Sequence, residues 1–236
     1  MLNFMKKIIC LLLLLSGSAQ AINVDKMLVV AAGDNLKKSQ IVVVNSDDTP
    51  VLVSAELTEM RKDGKEVKFD DQDFKNWPVY LDNSEWIIDP KSRMKVTVNN
   101  LLVALKTEIK EDRVIGISFI PQSYQDDGGK KSALSVLTGF KVWYIIPNNK
   151  EKVTGAVDVL QVKNKITLVN KTDTAIQYYI DSCKAPVLNQ PECSDSVLVL
   201  SGRQKDVTFD SSFSGAVSIS AEDFNHRYKK EFNIKF

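Results

Sequence analysis

The chain has 236 residues but only one histidine, His226, and three cysteines. Proton transfer or nucleophilic attack needs a convergent acid, base or nucleophile. One late histidine leaves only scattered carboxylates and hydroxyls, which any surface has. We therefore read the chain as no enzyme and expect no cofactor and no metal site. It also lacks an excess of either charge, with 31 Lys and Arg against 30 Asp and Glu. That balance argues against a bulk electrostatic partner such as nucleic acid. Long apolar runs are missing too, with one exception at the start.

That exception reads as an export signal over residues 1–21. Lys6 and Lys7 give a basic start, "IICLLLLLSG" is too short for a comfortable membrane span, and "SAQA" puts Ala19 and Ala21 at small-residue cleavage positions. Cleavage is expected after Ala21. Cys10 lies inside the apolar run and not just after it, which argues against a lipoprotein. No later stretch approaches a spanning run, so no direct membrane insertion is expected. The signal holds two of the basic residues and no acid, so the mature chain carries 29 against 30, a net of −1. About 215 residues remain, which suits one large or two small domains.

Two cysteines also remain, Cys183 and Cys193, in "CKAPVLNQPEC". In an oxidising compartment they most simply pair with each other.

An internal repeat divides the chain. "KSQIVVVNSDDTPVLV" (38–53) matches "KNKITLVNKTDTAIQY" (163–178) at Ile41/Ile166, Val44/Val169, Asn45/Asn170, Asp48/Asp173 and Thr49/Thr174. The offset is a constant 125 residues. Each copy reads as a strand, a polar turn and a second strand. The offset maps Ile22 onto Pro147, where "IIPNNKEKVTG" has linker chemistry. Domain one is drawn as 22–147 and domain two as 151–236. Runs such as "RVIGISFI", "KVWYII" and "SVLVLS" are short, β-branched or aromatic, and bounded by turn residues, so both halves are expected to be all-β antiparallel sandwiches. Asn170-Lys171-Thr172 fits a glycosylation sequon but is better read, with the repeat, as a turn. "EIKEDR" reads as a solvated loop, Trp77 and Trp86 as core or edge-covering aromatics, and His226 as a surface residue of the last hairpin.

The order of these elements resembles the periplasmic pilus (fimbrial) chaperones of the chaperone–usher pathway, the PapD-like family, across nearly the whole mature length. "INVDKMLVVAAGD", "SQIVVVNSDDTPVLVSAEL", "WIIDPKSRMKVTV", "DRVIGISFIPQS" and "KKSALSVLTGFKVWYIIP" match its first domain. "CKAPVLNQPEC", "LVLSGRQKDVTF" and "GAVSISAEDF" resemble its alternative, alpha-type branch. The resemblance implies two tandem immunoglobulin-like β-sandwich domains in an L-shaped arrangement, and a location in the periplasm. It also implies pilus subunits and an outer-membrane usher as partners, and a self-capping dimer as one state of the free protein.

Such a chaperone lends its seventh strand to a pilin that lacks its own last strand, by donor-strand complementation. Alternation along "SALSVLTGFKVWYIIP" (132–147) puts Leu134, Val136 and Phe140 on one apolar face. A bulge near Gly139 would bring Leu137 to the same groove. "VWYII" is expected inside domain one. The family anchors a pilin's terminal carboxylate on two basic residues. The matching positions here are closest to Leu28 and Val142, so Lys26 and Lys141 are the candidates, with Arg93 or Lys95 on a neighbouring strand as substitutes. The rival reading is a two-domain Ig-like pilus adhesin or structural subunit.

Overall fold

The computed structural model describes residues 20–70, 72–123, 137–183 and 193–236. Leu134 and Val136 lie outside the described residues. The strands of the first half are β1 (Gln20–Val24), β2 (Leu28–Val30), β3 (Lys38–Asn45), β4 (Val51–Met60), β5 (Glu66–Lys68), β6 (Val79–Leu81), β7 (Glu85–Ile88), β8 (Arg93–Asn100), β9 (Arg113–Ser123), β10 (Leu137–Thr138) and β11 (Phe140–Ile146). One short helix, α1 (Leu101–Ala104), is capped by Asn100, whose side chain accepts from the Val103 amide. The second half holds β12 (Val157–Val162), β13 (Lys165–Asn170), β14 (Ile176–Asp181), β15 (Ser194–Val199), β16 (Gln204–Thr208), β17 (Ala216–Asp223) and β18 (Lys229–Lys235).

These segments become strands because their apolar residues recur every second position and many are β-branched. In β3, Ile41 and Val43 point inward and are wholly buried. Across the ladder Ile41 faces Val96, also wholly buried, so two strands supply one core layer. Each such side chain contributes roughly 1.5–3 kcal/mol when removed from water.

Among the described residues, four sheets form two sandwiches. The first half stacks β10-β1-β3-β8-β6 on β2-β11-β9-β4-β5, with β7 beside the start of β4. The second half stacks β12-β13-β16 on β15-β14-β17-β18. Each sandwich has its own core: Ile41, Val53, Ile117 and Tyr144 belong to the first, and Ile166, Tyr178, Val217 and Ile219 to the second. A smaller cluster joins them, with Val114 and Ile145 of the first half packed beside Ala175, Leu198 and Phe224 of the second.

The repeated turn is one structural device used twice. Asn45 and Asn170 are both wholly buried. The Asn45 Nδ2 donates to the Thr49 carbonyl at 2.9 Å, and the Asn170 Nδ2 donates to the Thr174 carbonyl at 2.8 Å. A buried side-chain amide that satisfies a backbone group four residues on closes the corner where the chain crosses from one sheet of the sandwich to the other. The turn reading of Asn170-Lys171-Thr172 holds: Asn170 accepts from the Thr172 amide and hydroxyl.

Candidate functional site

The site is built on the seam between β10 and β11. The chain from Leu137 to Ile146 is not one continuous strand. Leu137 and Thr138 pair in parallel with Gln20 and Ala21, in the first sheet. From Phe140 the chain pairs with β9, in the second sheet. Gly139 lies at this switch. A Cβ there would meet the Phe119 carbonyl oxygen at 2.7 Å, so only glycine lets the two backbones approach this closely. Where a bulge was expected near Gly139, the chain changes sheet.

The two parts of the seam have different neighbours. Trp143, Tyr144 and Ile145 lie between β9 and β2, paired on both sides. Phe140 to Val142 pair with β9, while β2 begins level with Trp143. Lys141 shares the backbone direction of Trp143, whose amide donates to the Met27 carbonyl at 2.9 Å, so its own amide and carbonyl point to the edge that β2 leaves uncovered. Among the described residues β10 is the terminal strand of its sheet, with β1 on one side.

Phe140 is half-buried and packs against the first core, on the same face as the wholly buried Val142 and Tyr144. That face is shared with this molecule's own sandwich, and Phe140 keeps part of its surface exposed beside the glycine switch. Within "VWYII", Val142, Tyr144 and Ile146 are buried in the first core, as expected, while Ile145 and Trp143 pack in the cluster that joins the two halves.

The basic candidates divide. Lys141 lies on the outer face of the second sheet, about a third exposed. It forms an ion pair with Glu66 and lies 5.4 Å from the centre of the Trp143 ring. The Lys141 hydrogen bond holds the Glu66 carboxyl below its ordinary range. Lys26, between β1 and β2, pairs with Asp25 at 3.3 Å. Arg93 and Lys95 stand on β8, opposite Val44 and Val42, in the other sheet. They are not neighbours of β11, and the expectation that they substitute for Lys141 is corrected.

Away from the seam, Cys183 and Cys193 form a disulfide, Cα to Cα 4.9 Å. Trp86 is a core residue, tilted against Phe119 at 6.3 Å, and Trp77 is half-buried. His226 is exposed in the turn between β17 and β18, and its contact with Glu222 raises the imidazole above its ordinary range.

Asp112, within "EIKEDR", is not in the solvated loop that its neighbours suggest. It accepts from the Asn148 amide at 2.8 Å, the Thr174 hydroxyl at 3.0 Å and the Ala175 amide. Burial raises its carboxyl despite those three bonds. Asn148, itself buried, donates through Nδ2 to the Asp173 carbonyl at 2.7 Å. Arg227 joins from the last hairpin, reaching the Asn148 carbonyl at 3.1 Å and the Lys150 carbonyl at 2.6 Å. Its other side meets Asp223, wholly buried, at 2.8 Å. The expected linker is thus a bonded hinge. The signal lay in the polar composition of "PNN", which serves either a free linker or a buried amide.

Residues 24–147, more than half of the chain, match the family described as CS5 fimbrial protein N-terminal domain. A chain from the complex of the Salmonella enterica SafA pilin with the SafB chaperone is similar in structure, with a TM-score of 0.54 at 10% identity, over 94% of this chain and 99% of that one. The class 5 fimbriae chaperone CfaA gives 0.51 at 10% identity, over 91% of this chain and 98% of that one. A search of curated sequences finds no match. Likeness at such low identity speaks for the fold, and the sequence match speaks for the family. The chain belongs to the CS5 fimbrial protein family, and its two sandwiches have the fold of PapD-like fimbrial chaperones.

Proposed function

We propose that this protein is a periplasmic chaperone that captures pilus subunits by donor-strand complementation and delivers them to an outer-membrane usher. The observation that carries the reading is the edge position of β10. Its strand partner among the described residues is Gln20–Ala21, the last two residues of the expected export signal. Cleavage after Ala21 removes that partner and leaves the backbone of Leu137 and Thr138 open on that side. An open strand edge beside an apolar segment is a template for another chain's sheet.

On this reading the donor residues are Leu134, Val136 and Leu137, ahead of the glycine switch, together with the half-buried Phe140 just after it. Lys141 is the better of the two anchor candidates, since its backbone faces the uncovered edge. The domains divide at 147 and 151, with the Asp112 network fixing one against the other. The free protein covers the exposed edge by pairing with a second copy.

Mixing with a pilin that lacks its donor strand tests the proposal. A chaperone gives a soluble one-to-one complex, and Leu134→Asp with Val136→Asp abolishes it while the fold persists. A double variant that unfolds outright returns the strand to the core. The rival reading is a two-domain Ig-like pilus adhesin or structural subunit. Binding of a glycan or surface by the isolated chain, without complex formation, would select that rival.

A further inference from the structure

A groove of about 640 Å³ opens on the first sandwich, lined in part by Trp77, Tyr80 and Glu85. It exists because two short strands share one edge of β4. β7 pairs with Val51–Ser54 and β5 with Thr58–Met60, so neither covers the residues between. The break is bridged by the Ala55 amide donating to the Ser84 carbonyl at 2.8 Å and the Phe69 amide donating to the Leu57 carbonyl at 3.2 Å. The Ala55 carbonyl and the Leu57 amide, by strand alternation, face the same edge.

The walls are aromatic and the rim is acidic. Trp77 is half-buried, its indole N–H donates to the Asp70 carbonyl at 3.0 Å, and its ring leans on Phe69 at 6.0 Å. Tyr80 is 52% exposed. The lining carries three carboxylates, Glu56, Asp82 and Glu85, against the one ammonium of Lys68. Lys68 is committed to Glu56 at 3.1 Å, and Asp82 accepts from the Thr97 amide at 3.2 Å. Aromatic faces and surplus carboxylates both favour a cation. The interrupted β4 edge favours a polypeptide backbone beside it.

We propose that this groove takes one basic side chain, arginine above lysine, from an extended segment of a protein partner lying along the β4 gap. It uses strands other than β10 and β11 and does not rest on the donor-strand reading. The test is NMR of the ¹⁵N-labelled full chain titrated with acetyl-Gly-Arg-Gly-amide, using the same peptide with neutral citrulline as control. The arginine peptide is expected to shift the Trp77 indole and Leu57 amide signals and leave the Trp143 indole unmoved. Glu85→Gln and Tyr80→Ala, both exposed positions, should each weaken binding about fivefold. Absence of those shifts overturns the proposal, and so does equal binding of the citrulline peptide. Tighter binding of methyl N-acetylglucosaminide at the same signals would make the groove a sugar site instead.

Discussion

Asn45 and Asn170 perform the same task in two halves that finish their sheets differently. The second half ends in an ordinary hairpin, β17 against β18, seven residue pairs in antiparallel register. The first half ends in a strand that changes sheets at Gly139. Both sandwiches use a buried amide to lock a corner, so the corner is a requirement of the fold. Only one has a terminal strand whose start lies outside its own second sheet, so that feature is free to serve function. A repeat thus separates what folding demands from what the protein adds.

The largest expected effect tests the shared corner. Asn170 makes four bonds, to the Thr174 and Val199 carbonyls and from the Thr172 amide and hydroxyl. Asn170→Ala strands buried groups, each costing about 1–3 kcal/mol, and should lower stability by roughly 3–4 kcal/mol in urea titrations. Asn45 also makes four, to the Thr49, Ile88 and Asp89 carbonyls and from the Asp47 amide, but three of these are only partly buried. Asn45→Ala should cost less, about 2 kcal/mol. A reversed order, or losses under about 1 kcal/mol for both, would break the equivalence of the two corners.

The disulfide sharpens the contrast, because the described cysteines lie only in the second half. Replacing both cysteines by serine should cost about 2–3 kcal/mol in the chain-entropy account. Hydrogen exchange should quicken across the β14–β15 ladder and stay unchanged in the β3–β8 ladder. Equal loosening of both would mean that the sandwiches unfold as one unit.

Between the halves lies Asp112. An asparagine there keeps an acceptor for Asn148 and Thr174 but turns an N–H₂ toward the Ala175 amide. Asp112→Asn should therefore cost about 1–2 kcal/mol near neutral pH. The folded chain takes up the Asp112 proton more readily than the unfolded chain, because burial raises the carboxyl. Its linked stabilisation is fullest below the ordinary carboxylate range and is lost as pH rises through the raised value. The advantage of the native chain over Asp112→Asn should thus widen on acidification. Melting curves of both proteins from about pH 7 to pH 4 would show this, and a constant difference would mean that Asp112 does not titrate in the hinge.

The sequence displayed the repeat and hid the hinge for the same physical reason. Asn45 and Asn170 recur at matching places between β-branched runs, and pattern is what a single sequence exposes. Asp112 sits among Lys110, Glu111 and Arg113, a composition typical of a solvated turn, and its burial comes from residues 36 and 63 positions away. The change of sheet at Gly139 was not legible from alternation, which assumes one sheet, and the close approach of Gly139 to Phe119 gives its reason. The disulfide needed no such long-range information, since its two partners lie within one short loop.

The smallest expected effect concerns Lys141. Its pair with Glu66 is a third exposed on both sides, so Lys141→Ala should change stability by less than about 0.5 kcal/mol. Pilin capture is the more telling measurement. If Lys141 anchors a pilin's terminal carboxylate, Glu66 competes with that carboxylate for the same ammonium. Glu66→Gln should then tighten capture and Lys141→Ala should weaken it, and amidation of the pilin's terminal carboxylate should erase both differences. Lys26 and Asp25 offer the matched control, because the Lys26 pair lies between β1 and β2 and not on β11. Capture that ignores Glu66 and Lys141 alike would retire the anchor and leave the open edge of β10 to fix the register unaided.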